Sequence, residues 1–141
     1  MVDALNEARR SLIVNGMLVD LRPSICHPGI EALTSNEMLV VGYVDDSSAA
    51  SDSNAADAAI RRSQDAGWFA PCRHFEFDFE HYWDTVSEMA AYLASRRHPM
   101  DVLPSLAEVE EAYDAVAAAA QGKVRLRCRW RVILNSYVRH E

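Results

Sequence analysis

The sequence predicts an α/β fold: a mixed sheet of about four to five strands, flanked by about four helices and finished by a long antiparallel C-terminal strand pair. Two alternating segments and a set of helix signals carry this reading. Phe75, Phe77 and Phe79 alternate with Glu76, Asp78 and Glu80 inside the segment 68–82, the period of a half-buried strand. The segment 123–138 alternates in the same way, with Val124, Leu126, Cys128, Trp130 and Val132 on one face and Arg125, Arg127, Arg129 and Arg131 on the other. Thr85-x-x-Glu88 and Ser105-x-x-Glu108 are capping-box patterns, each opening a stretch with helical apolar spacing.

The remaining elements follow in chain order. Leu5, Ala8, Leu12 and Ile13 share a helical face over 3–14, and Asn15-Gly16 is a helix stop. Met17 to Leu21 is a short apolar run ended by Arg22-Pro23, the pattern of a strand buried on both faces. Residues 23–36 show no clear period, and Pro28-Gly29 marks a turn. Met38 to Val44 reads as a strand with a possible bulge at Gly42. Residues 45–54, rich in Ser, Asp and Ala, read as a mobile loop, and Ala55 to Ala66 as a short helix closed by Gly67. Val86, Met89, Ala90 and Leu93 line the next helix, and Leu106, Val109, Tyr113 and Val116 the last, with Pro99 and Pro104 between them. The whole chain of 141 residues is read as a single domain.

Charge and cysteine usage narrow the function classes. The formal net charge is −7, yet Lys123, Arg125, Arg127, Arg129, Arg131 and Arg139 stand against Glu141 alone at the C-terminal end. An acidic body argues against general affinity for nucleic acid or anionic membrane, which rests on phosphate neutralisation. The arginine row has two readings, an anion site or a cross-strand charge ladder against Glu76, Asp78 and Glu80; matching length and opposite charge favour the ladder, with Phe75, Phe77 and Phe79 expected to form a core against Leu126, Cys128 and Trp130. No apolar run reaches the ~18 residues of a membrane helix, and Asp3, Glu7, Arg9 and Arg10 interrupt any signal peptide, so a cytoplasmic protein is expected. Cys26, Cys72 and Cys128 fit no C-x-x-C spacing.

Motifs for common chemistries are missing. Gly16, Gly29, Gly42, Gly67 and Gly122 are too scattered for a phosphate-cradling loop, and no Gly-x-Ser-x-Gly elbow occurs. Cys26-His27 with Cys72-x-His74 is the best metal-ligand cluster, but two such pairs arise easily by chance and no metal is expected. His81, or Glu80 beside it, lies next to Tyr82 and Trp83 at a strand-to-helix corner and is a conceivable general base; packing of helix on sheet is the blander role.

Residues 4–12 followed by Asn15-Gly16-Met17-Leu18-Val19-Asp20-Leu21-Arg22-Pro23 resemble the "helix, L-x-P-G-G, strand" passage of class I S-adenosylmethionine-dependent methyltransferases, with Val14-Asn15-Gly16 in place of the Pro-Gly-Gly turn. The resemblance implies the C-terminal half of that fold, with Phe75–Phe79 and Val124–Leu134 as its terminal antiparallel pair and the last strand lying beside the one at 17–21. It also implies that the cofactor-binding half is absent, so that S-adenosylmethionine is bound only if a partner chain completes the fold. Cut in this way, Met17–Leu21 becomes an apolar edge with unpaired amides.

The functional expectation is a methyltransferase-like protein that is not catalytic by itself. It acts by association through the Met17–Leu21 edge, as a homodimer or with a separate partner chain. One alternative is a small-molecule binder or enzyme with a pocket between the sheet and the 45–54 loop, lined by Tyr43, Trp68, His81, Tyr82 and Trp83. The other is one half of a split methyltransferase.

Overall fold

The computed structural model describes residues 2–96, 102–120 and 122–140. Its elements run α1 (Val2–Ser11), β1 (Met17–Pro23), β2 (Gly29–Leu33), β3 (Met38–Tyr43), α2 (Ala50–Asp65), β4 (Phe69–Trp83), α3 (Val86–Arg96), α4 (Leu106–Ala119) and β5 (Arg125–Arg139). The class read from sequence holds: four helices, a five-stranded sheet and a long terminal pair, β4 and β5, of 15 residues each. The sheet is antiparallel. Strand β5 is the common partner, bonding to β1, β2 and β4, while β3 pairs with β2.

The chain forms two compact units. The first comprises Met1–Ser24, Ala50–Phe77 and Val132–Glu141, and the second Ile25–Ala49 and Asp78–Arg131.

In the first unit α1 ends at Ser11, and the turn after it depends on two residues with special backbones. Asn15 has φ 65°, and a Cβ on Gly16 would meet the Ile13 carbonyl at 2.7 Å, so only glycine lets the chain fold back into β1. Strand β1 pairs with β5 from Met17↔Val138 to Pro23↔Val132. Directly opposed residues share a face. Leu18, Asp20 and Arg22 therefore lie with Tyr137, Asn135 and Ile133, on the side where α2 accepts Arg22 through the Ser53 carbonyl (3.0 Å) and the Asp57 carboxylate. Met17, Val19 and Leu21 lie with Val138, Ser136 and Leu134 on the other side. The apolar run at 17–21 is thus not buried on both faces; its odd positions alternate out to solvent. Helix α2 starts at Ala50, so residues 50–54, expected in a mobile loop, are its first turns. Ala50, Ala55 and Ala56 supply high helix propensity, and Asp52 sits in the first turn where the helix dipole favours an anion.

In the second unit the core is Ile30, Ala32, Val44, Trp83, Met89, Leu93, Val109, Leu126 and Cys128, with α3 and α4 as its helical cover. Burial pushes the Cys128 thiol up to about 12. Strand β2 lies in the segment without a clear period, because Gly29-Ile30-Glu31-Ala32-Leu33 is buried at three consecutive positions instead of alternating. The register shifts between Ile30↔Gly42 and Glu31↔Val40, leaving Val41 as an extra residue beside the expected bulge at Gly42. Gly42 also lets α4 approach, since a Cβ there would stand 3.1 Å from Val109. Thr85 caps α3 as the pattern predicts: its hydroxyl accepts the Glu88 N–H at 3.1 Å, while Glu88 reaches back to the Asp84 N–H at 3.0 Å. Ser105 makes no such side-chain bond at α4. Before α2 in the chain, Ser47–Ala49 form a 3-10 turn, with Asp45 accepting the Ser47 N–H and Asp46 bonding the Cys26 and His27 N–H groups. Pro99 lies outside the described residues.

The three phenylalanines depart from expectation. Phe75, Phe77 and Phe79 are 52%, 46% and 51% exposed instead of forming a core. In the second unit Leu126 and Cys128 are buried in one cluster with Met89 and Val109, whereas β4 is exposed from residue 71 to 80, so its alternation does not report burial.

Candidate functional site: the free edge of β1

The hydrogen-bond parity of β1 follows from one contact. The Arg139 N–H donates to the Gly16 carbonyl at 2.9 Å, while the Arg139 carbonyl accepts the Asn15 N–H at 3.1 Å, so the Gly16 carbonyl points toward β5 and sets the phase of the antiparallel ladder. Alternation then turns the N–H and C=O groups of Leu18, Asp20 and Arg22 toward β5, and those of Met17, Val19 and Leu21 to the opposite side. Pro23 falls on the outward set, so its missing N–H costs the ladder nothing. Strand β1 has β5 as its one strand partner among the described residues. Its outer side therefore offers three N–H donors and, with Pro23, four carbonyl acceptors.

The side chains beside that edge are apolar and open. Met17, Val19 and Leu21 are 54%, 52% and 59% exposed, and in the same unit Phe75 and Phe77 are half exposed on β4. The other face of β1 is polar and fixed. Arg22 Nε lies 3.2 Å from the Asp20 carboxylate, the Arg22 guanidinium bonds Asp57, and Asn135 Nδ2 reaches Asp20 at 3.5 Å. Asn135 in turn bonds His74 Nδ1 at 2.7 Å, and the His74 Nε2 lies 3.3 Å from Glu76. The Asn135 bond, then the Glu76 bond, raises the His74 pKa above its ordinary value. Tyr137 is raised by burial and by the charge of Asp20.

No protein family, curated protein or solved structure matches this chain. What the site does must be read from its own geometry.

The five residues expected to line a small-molecule pocket have the following places. Trp68 belongs to the first unit, where the Arg9 guanidinium lies 5.5 Å above its ring. The other four belong to the second. Tyr43 lines an open cleft of 390 Å³ with His27, Asp45 and Leu103. His81 stacks on Tyr92 with ring centroids 4.1 Å apart, and Trp83, buried, packs against both and against Trp130. Tyr82 donates to Glu80 at 2.5 Å and has the Arg125 guanidinium 5.2 Å above its ring. His81 and Trp83 thus join an aromatic stack on α3, while Tyr43 faces a separate cleft of the same unit. Among the described residues no group of three or more His, Cys, Asp or Glu side chains is placed to hold a metal ion.

The arginine row is a charge network inside the second unit. Arg131 Nε meets Asp78 at 3.2 Å and Arg127 Nη1 meets Glu80 at 3.2 Å, the two rungs expected from sequence. Glu76, the expected third, belongs to the first unit and bonds His74. The strongest partner is one the sequence reading missed: Glu31 on β2, 4% exposed, accepts Arg127 Nε at 2.7 Å and Arg129 Nη2 at 2.6 Å. Asp84 takes Lys123 at 2.6 Å and Arg125 at 2.9 Å, and these bonds, Lys123 first, hold its carboxyl below the usual range. With every arginine of the row engaged, its basic charge is spent internally.

Proposed function

We propose that this protein is a non-catalytic association module whose working surface is the outer edge of β1. The observation that carries the reading is the outward set of backbone groups on Met17, Val19 and Leu21, flanked by three apolar side chains each more than half exposed. An apolar strand with free amides is a template for an added strand, with main-chain bonds giving affinity and alternate side chains giving selectivity. No helix of the described residues is long and apolar enough to cross a membrane.

Labelled extended peptides with alternating apolar residues test the reading by fluorescence anisotropy. Saturable binding that Leu21→Lys abolishes is expected, since this substitution charges the stripe without touching a residue turned toward β5. Absence of binding by any peptide, together with absence of self-association in light scattering, overturns it.

A second reading is a methyltransferase part completed by a partner chain. Its support is the strand placement in the first unit, where β5 lies between β1 and β4, as the resemblance implies for the last strand. Calorimetric titration with S-adenosylmethionine, run with the chain alone and with any co-purified chain, separates the two: heat in the second case alone favours the split enzyme, and no heat in either favours the association module.

A further inference from the structure

We infer that the occupant of the β1 edge is a second copy of this chain, paired β1 to β1 about a two-fold axis centred on Leu21. The inference rests on the association reading above and names its partner. Backbone parity and the side-chain stripe permit self-pairing, and charge selects its register.

An antiparallel strand added to β1 must bond to Met17, Val19, Leu21 and Pro23, so a two-fold pair must set odd residues opposite odd residues. Centring on Leu21 gives two Leu21–Leu21 bonds and two from the Val19 N–H of each copy to the Pro23 carbonyl of the other. Pro23 has no N–H to leave unpaired, so the register ends there without a lost donor on the proline side.

Asp20 and Arg22 stand two residues apart on the same face of β1, 3.2 Å from each other. In the Leu21-centred register each Asp20 lies opposite the Arg22 of the other copy, so the Asp20–Arg22–Asp57 network of each copy meets opposite charge across the edge. Shifting the centre to Asp20 sets Asp20 against Asp20, and like charges directly opposed are destabilising. Centring on Val19 leaves Arg22 opposite Gly16 and Asp20 opposite Leu18. The strand is self-complementary in charge at one register.

About a two-fold axis normal to the sheet, the odd residues of both copies fall on one face, so Leu21 packs beside Leu21 and Val19 beside Pro23. A contact made mainly by one seven-residue edge lies at or below the low end of roughly 1,200–2,000 Å² for stable interfaces, so a dimer with micromolar dissociation is expected.

Reciprocal charge reversal tests both partner and register. Asp20→Lys and Arg22→Glu are made separately, their folding is checked by far-ultraviolet circular dichroism, and their mass is measured by light scattering alone and mixed. Each variant alone is expected to be monomeric at concentrations where the wild type is dimeric. Their equimolar mixture is expected to dimerise, because the lysine introduced at position 20 of one copy then faces the glutamate introduced at position 22 of the other, and the retained Arg22 of the first faces the retained Asp20 of the second. Single variants that dimerise as well as wild type, or a mixture that stays monomeric, overturn the inference. If either charge variant fails to fold, Leu21→Lys replaces it, and a dimer that survives this change overturns the inference equally. A wild type that is monomeric at high micromolar concentration also overturns it. The peptide assay then decides separately whether the edge accepts any strand at all.

Discussion

His74 shows how much a single side chain can report. Its imidazole is exposed, so the bonds to Asn135 and Glu76 contribute little to stability, but they favour the protonated ring and raise its pKa above the ordinary value of 6.5. A group with a raised folded pKa gives its contribution in full below its unfolded pKa and loses it as pH rises through the folded one. The His74 ring signals in a nuclear magnetic resonance titration should therefore have a midpoint above the usual histidine value, and His74→Gln should reduce the fall in thermal midpoint between mildly acidic and mildly alkaline solution. A midpoint at or below the ordinary value would show that neither bond forms. The sequence identified His74 only as half of a chance metal pair, since its true partner, Asn135, lies 61 positions away and no local pattern connects them.

At the scale of elements, the charge network of the second unit is the clearest case of what local pattern can and cannot show. Period-two alternation made β4 and β5 legible, and opposite charge on their polar faces made the Asp78 and Glu80 rungs legible. The alternation did not tell which apolar faces are covered, and the phenylalanines stay half exposed, outside the buried cluster. Strand β2 was illegible because consecutive burial removes the alternation by which strands are recognised, and its loss hid Glu31. The helices were legible by spacing, and Thr85 by its cap; residues 50–54 were misread because Ser and Asp suggested a loop where the alanines decide for helix.

Glu31 is 4% exposed between two guanidiniums, so its removal leaves positive charge facing the interior. Breaking a buried ion pair costs roughly 3–5 kcal/mol, and because Arg129 is partly in solvent the lower end applies. Chemical denaturation of Glu31→Gln should show a loss of about that lower value, whereas Arg131→Gln, at the exposed end, should change stability by under about 1 kcal/mol. Equal effects for the two would mean that the network behaves as a solvated surface ladder.

At the scale of the whole molecule, the net charge of −7 conceals a division of labour. The basic residues of β5 in the second unit, with Lys123 before them, neutralise Glu31, Asp78, Glu80 and Asp84, which leaves the molecule's remaining surface acidic. The candidate site was half legible from sequence. The apolar run ended by Arg22-Pro23 pointed to a strand buried on both faces, and only the resemblance to a methyltransferase half made it an edge; the outward parity of Met17, Val19 and Leu21 depends on the pairing of Gly16 with Arg139, which no local pattern contains.

Strand β5 also decides when the chain can fold during its synthesis. It is made after the other described elements, yet β1 in the first unit and β2 in the second both wait for it, Met17 for Val138 and Ile30 for Cys128. Pairings of such sequence separation form slowly because their loop-closure entropy must be met before any contact repays it. On the ribosome, helices and the β2–β3 hairpin can form as they emerge, but the sheet cannot be completed until β5 has left the exit tunnel. A chain stopped at Val124 should accordingly keep helical circular dichroism, lose cooperative unfolding and expose its apolar strands to aggregation. A cooperative thermal transition in that truncated chain would show instead that the earlier elements hold together without their common strand.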